Sequence, residues 1–152
     1  MVDNKGNFKD FLLDEPEAAL QRGPFSYQDN EIQSLIDKFY LSKTPSLMTS
    51  HIIQLLTATQ HLRYATTPFA TFVKMRADKT PAERNAIFAE FHRHFKAART
   101  WADKPELTVK EKEIMAAALQ YAKQSLLQGI QELDLNDPLR IAWDESELRR
   151  DL

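Results

Sequence analysis

A recurring pairing of a helix-capping residue with proline constrains this chain more than any other feature. Thr44-Pro45, Thr67-Pro68 and Thr80-Pro81 each place a hydroxyl at an N-cap and a proline at the first helical position. There the missing N–H costs nothing and φ is already helical. Asp137-Pro138 repeats the device near the end of the chain, and Glu15-Pro16 near its beginning. Thr80-Pro81-Ala82-Glu83 and Thr108-Val109-Lys110-Glu111 also fit the capping box, in which hydroxyl and carboxylate satisfy orphan amides reciprocally. These starts predict helices near 28–42, 45–66, 68–77, 81–103, 108–133 and 138–150, with a short turn at 16–21, and no segment alternates as a strand. The three glycines, Gly6, Gly23 and Gly129, are never grouped, which excludes phosphate-cradling loops and dinucleotide fingerprints. The expectation is an all-α, single-domain helical bundle of about six helices, preceded by a loosely structured acidic segment over 1–26 and closed by the short helix at 138–150.

Helical spacing identifies the faces that should be buried. Ile32, Leu35, Ile36 and Phe39 form one stripe, and Met48, Ile52, Leu55, Leu56, Thr59 and Leu62 another. Phe69, Phe72, Val73 and Arg76 follow i, i+3, i+4, i+7, and Ile87, Phe88, Phe91, Phe95 and Ala98 line the next helix. Over 108–133 the apolar stripe is flanked by a row of small residues, Ala118, Ala122, Ser125 and Gly129. Such a row either receives bulky side chains from a neighbouring helix or opens as an apolar groove for a ligand or partner helix.

Cysteine is absent, which excludes disulfides, thiolate catalysis and cysteine-ligated metals. The four histidines are the remaining pointers to catalysis or metal. His51 borders its buried stripe while His61 lies on the polar side, and His92 and His94 fall about 160° apart on one helix, so neither pair shares an ion. His92 lies in a run with Arg93, Lys96 and Arg99, unlike a haem ligand facing an apolar pocket. Glu90 and His94 are spaced to pair at i, i+4. An enzyme would have to assemble its groups in three dimensions, from His51, His94, Glu90 and Tyr121. The expectation leans away from an enzyme, with no metal and no cofactor.

Charge is the more informative pattern. The chain has 20 basic and 22 acidic side chains, yet nine basic and four acidic ones fall within 61–104, while the two ends are acidic. His92, Arg93, Lys96 and Arg99 share one flank of the 81–103 helix. Two functions follow from this pattern. The first is a non-enzymatic helical interaction module, an adaptor, inhibitor or regulatory subunit, meeting an acidic protein through that basic face and its amphipathic helices. The second is an anion or nucleic-acid binding protein using the basic 74–99 region, with Lys74, Arg76 and Arg84 added. Nucleic acid has the weaker support, because the aromatics lie on faces that should be buried. The terminal segments are too short to be stable helices alone, so each is expected to dock on its own domain, on a second copy or on a partner. No stretch nears the roughly 18 apolar residues of a membrane span, and the expected location is the cytoplasm.

Overall fold

The computed structural model describes residues 15–22, 29–41, 47–67 and 69–152. Among these residues there are eight helices and no strand: α1 (Pro16–Arg22), α2 (Asp29–Tyr40), α3 (Leu47–Ala65), α4 (Ala70–Asp78), α5 (Pro81–Ala102), α6 (Val109–Gln131), α7 (Pro138–Glu145) and α8 (Glu147–Asp151). The all-α expectation holds. Of the N-terminal segment, 16–22 is helical and the remainder up to residue 26 lies outside the described residues, apart from Glu15. Thr44-Pro45 lies outside them as well.

Helix α3 is central and packs against α2, α5 and α6, while α1 rests on α6 and α2. The expected stripes meet there. Ile52, Leu55, Leu56 and Leu62 of α3 are fully buried, as are Phe88 and Phe91 of α5 and Met115 and Leu126 of α6. The C-terminal α7 lies on α5 and α4, and α8 on α5 and α7. Within this core Tyr121 donates a 2.6 Å hydrogen bond to Glu31 Oε1 of α2. Burial, followed by the Glu31 charge, raises the phenol well above its ordinary pKa and keeps it a donor.

The helix starts form largely as the capping pattern requires. The Thr80 hydroxyl accepts from Glu83 N–H at 3.2 Å while Glu83 accepts from Thr80 N–H at 2.9 Å, and Thr108 with Glu111 repeats the geometry. Asp137 caps α7 by accepting from Leu139 N–H at 2.9 Å. Thr67-Pro68 departs from the pattern. Helix α4 begins at Ala70 behind Phe69, which has no side-chain cap, and the Thr67 hydroxyl instead donates back to the Arg63 carbonyl at 3.3 Å. A threonine hydroxyl can bond a carbonyl one turn back in place of capping the next helix, and here it joins the Thr66 N–H and hydroxyl on the Arg63 carbonyl at the end of α3. The expected single helix over 138–150 is two helices. Ser146, extended at φ −76° and ψ 150°, ends α7 through its N–H and starts α8 by accepting from Arg149 N–H at 3.1 Å.

Helix α4 buries only part of its expected face, with Phe72 half-buried. Phe69 is 70% and Val73 41% exposed, whereas Arg76 is 3% exposed. The Arg76 guanidinium donates to both carboxylate oxygens of Asp137, with Nη2 2.9 Å from Oδ2, and its Nη1 donates to the carbonyls of Thr67 (2.6 Å) and Ala65 (3.2 Å). One planar, multiply hydrogen-bonded cation therefore joins the end of α3, α4 and the cap of α7. Burying an ion this way is tolerable only because every side of it is satisfied.

At the α3–α6 contact Gly129 is required by close approach: a Cβ there would lie 2.6 Å from Thr66 Oγ1 and 3.2 Å from Arg63 Nη1. Two stability effects are expected in urea melts. Arg76→Ala strands a buried carboxylate and should cost about 3–5 kcal/mol, whereas Gly129→Leu or Ala122→Phe should cost about 1–3 kcal/mol by overpacking.

Candidate functional site

The capping box at Thr80 sets the rotation of α5. Phe88, Phe91, Phe95 and Ala98 then face the core, and the basic residues fall on the flank toward the C-terminal helices. The structure divides the four predicted partner-binding residues. His92 is buried, with Nε2 2.7 Å from Asp151 Oδ2, and Arg99 Nη2 donates to the same oxygen at 2.8 Å. Arg99 also lies over the Phe95 ring, 5.5 Å from its centre. Arg93 and Lys96 stay exposed. The expected run of four free basic groups is thus reduced to two by a carboxylate from the same chain.

His92, Arg93 and Lys96 nevertheless come together on one cleft of about 480 Å³. Phe88 and Leu148 lie at its floor, each only 1% exposed, and the facing wall is Glu145, Ser146, Glu147 and Arg150. Arg99 lies outside it and reaches the others only through Asp151. Among the described residues no carboxylate lies within ion-pair distance of Arg93 or Lys96. The cleft therefore combines two available cations with an apolar floor and acidic margins, an arrangement that recognises a mixed apolar and anionic ligand better than a uniform polyanion.

The wider basic region is not a continuous surface. Arg76 is consumed by Asp137, and Arg84 Nη1 donates to the carbonyls of Arg76 (3.0 Å) and Lys79, completing the C-terminus of α4. Lys74 is exposed. The small row Ala118, Ala122, Ser125 and Gly129 is buried along its whole length, and at Gly129 it receives the polar Thr66 and Arg63 of α3.

Of the residues considered for catalysis, His51, His94 and Glu90 lie within electrostatic range of one another, with His61 beside them, whereas Tyr121 is apart. Glu90 sits 3.7 Å from His61 Nδ1, His51 is tilted against the Trp101 ring at 4.9 Å, and Tyr121 is committed to Glu31 in the core. Burial first, then neighbouring positive charge, lowers the pKa of both His51 and His94. Among the described residues no group of three or more His, Asp or Glu side chains is placed to hold a metal ion.

Leu148, Arg150 and Asp151 are absent from the sequence expectation. A signal was available: Ser146 is an N-cap residue inside the presumed last helix, and Leu148 and Asp151 are i, i+3 on the turn it starts. No protein-family model matches the chain, and no curated protein or solved structure is significantly similar to it.

The clasp on α5 has a defined acid response. Hydrogen bonds from Arg99 and then His92 hold the Asp151 carboxyl down at about 2, against an ordinary 3.8. A carboxyl depressed in the folded state contributes stability above its unfolded pKa and loses that contribution as pH falls toward the folded one. The difference in melting temperature between wild type and Asp151→Asn should therefore shrink as pH falls from about 5 toward 2, as thermal melts across that range will show.

Proposed function

We propose that this protein is a non-enzymatic helical interaction module, an adaptor, inhibitor or regulatory subunit, which takes an acidic segment of a protein partner at the cleft between α5 and α8. One observation carries this reading: His92, Arg93 and Lys96 meet Arg150, Phe88 and Leu148 around a single cleft. Exposed cations on a cleft steer an acidic partner and fix its orientation. Helix α4 supports the same class of function. It exposes Phe69, Val73 and Met75 because Arg76 and Asp137 hold it in place without them, and exposed apolar groups on a charge-anchored helix are suited to contact with another protein.

Anion or nucleic-acid binding is the second reading, favoured by the nine-to-four excess of basic residues over 61–104. It is weakened by the diversion of Arg76 and Arg84 to buried carboxylate and carbonyls, and by Glu145 and Glu147 on the wall facing Arg93. No helix among the described residues is long and apolar enough to cross a membrane. A cysteine-free chain suits a reducing compartment, so the cytoplasm belongs to this reading.

The test is a charge reversal confined to side chains with no structural duty. Arg93→Glu/Lys96→Glu should keep wild-type stability within about 0.5 kcal/mol, as surface changes do. Arg99 is left intact because reversing it would break the bond to Asp151. In paired quantitative pull-downs from the native host, the double variant should lose a protein that wild type retains after nuclease treatment, and wild-type association should slow with added salt. Loss seen only without nuclease would assign the face to nucleic acid. Identical capture by both baits would reject the interaction surface.

A further inference from the structure

We infer that the surface beneath α8 is a receptor for a helical turn bearing an apolar residue and, three positions later, a carboxylate, and that the chain's own Leu148 and Asp151 occupy it in the absence of a partner. The inference rests on the reading of α5 as a protein-binding face and specifies the partner's chemistry. Residues three apart lie on the same side of a helical turn. Accordingly Leu148 is 1% exposed against the core, and Asp151 Oδ2 takes both the His92 and the Arg99 hydrogen bonds. Glu147, Arg149 and Arg150 face solvent, and only Leu152 adds a half-buried apolar contact. Two main anchors thus define a recognition pattern, an apolar residue followed at i+3 by Asp or Glu.

The receiving groups stand on a long core helix, whereas the occupant is one short turn held by Leu148 in the core and by Asp151. His92 and Arg99 stand two turns apart on a 22-residue helix with a closed capping box and a phenylalanine face in the core. Their positions do not depend on α8. The occupant is five residues long, below the length at which a helix sustains itself in water, and it hangs from the extended Ser146. It also leaves the site half used: α8 pairs with His92 and Arg99 but with neither Arg93 nor Lys96, which lie beside it on the open cleft. A partner segment that repeats the Leu148/Asp151 pair and adds acidic residues toward Arg93 and Lys96 gains contacts that α8 lacks, and so displaces it. Glu145, at the end of α7, would face a polyphosphate unfavourably, which favours a peptide with scattered acids as the occupant.

The experiment uses the full chain and a fluorescent synthetic peptide with the sequence of residues 144–152 as the probe. Fluorescence anisotropy compares wild type with Leu148→Ala/Asp151→Asn, whose own turn no longer competes. The variant should bind the peptide at least about tenfold more tightly than wild type, since occupancy in cis reduces apparent affinity by the fraction of sites left open. A control peptide with Asp151→Asn should bind about tenfold more weakly than the parent peptide, having lost a charge-assisted contact. Equal affinity of the two chains, or equal binding of the two peptides, would overturn the inference. If the double variant fails to fold, Asp151→Asn alone should show a smaller gain in the same direction, and no gain there would overturn it equally. Failure of the broader function looks different. A partner lost with Arg93→Glu/Lys96→Glu, but no peptide gain on loosening α8, keeps the interaction module and rejects this receptor. Peptide gain without any Arg93- and Lys96-dependent partner keeps the receptor and rejects the broader reading.

Discussion

The Arg76 guanidinium is the interaction on which the arrangement of the C-terminal half depends. Its partners come from two distant places in the chain: the carbonyls of Ala65 and Thr67 at the end of α3, and the Asp137 carboxylate that also caps α7. Buried ion pairs are poor net stabilisers compared with well-packed apolar groups, yet they penalise any arrangement that leaves one charge alone. Here that penalty fixes position. Helix α4 has little apolar surface turned inward and is seated by its arginine, and α7 is seated by the same aspartate that starts it. Because α7 leads directly into α8, the wall of the cleft and the clasp on α5 take their places from this pair.

Much of the fold was legible because its determinants are local. Thr80 with Glu83, and Thr108 with Glu111, act within four residues, and the apolar periodicity of α2, α3, α5 and α6 placed the core correctly. The sequence pattern failed where the deciding partner is remote. Phe69, Phe72, Val73 and Arg76 carry the spacing of one face, yet Arg76 is buried while Phe69 and Val73 are exposed, because Asp137, 61 residues beyond Arg76, draws the guanidinium inward. Thr67 has the sequence of a cap, but its hydroxyl turns back to the Arg63 carbonyl at the end of α3. The basic flank of α5 was visible as four residues, yet its division into paired and open groups required Asp151, 59 residues from His92 and 52 from Arg99. A five-residue helix is also too short to produce a periodic signal, so the break at Ser146 passed unnoticed.

The charge segregation along the chain acquires a physical meaning in three dimensions. A basic middle and acidic ends sum to a formal −2, a value that describes neither part. Folding brings some of the opposing charges together, Arg76 onto Asp137, His92 and Arg99 onto Asp151, Arg63 toward Glu132, and leaves Arg93 and Lys96 outside these pairs. The basic character that survives at the surface is thus more localised than the sequence suggests, and it lies beside apolar lining. Localised charge next to an apolar cleft discriminates among partners, whereas a diffuse basic face attracts any polyanion.

The two reciprocal capping boxes also bear on how this chain reaches its fold. Each closes within a single turn, at an exposed site, and begins one of the two longest helices among the described residues, so the start of α5 and of α6 is stabilised by its own neighbouring side chains. The costly step in making a helix is its first turn. A chain that stabilises that turn from its own neighbouring side chains assembles its long helices early and leaves loop closure to a few later encounters, which is the regime of fast, locally directed folding.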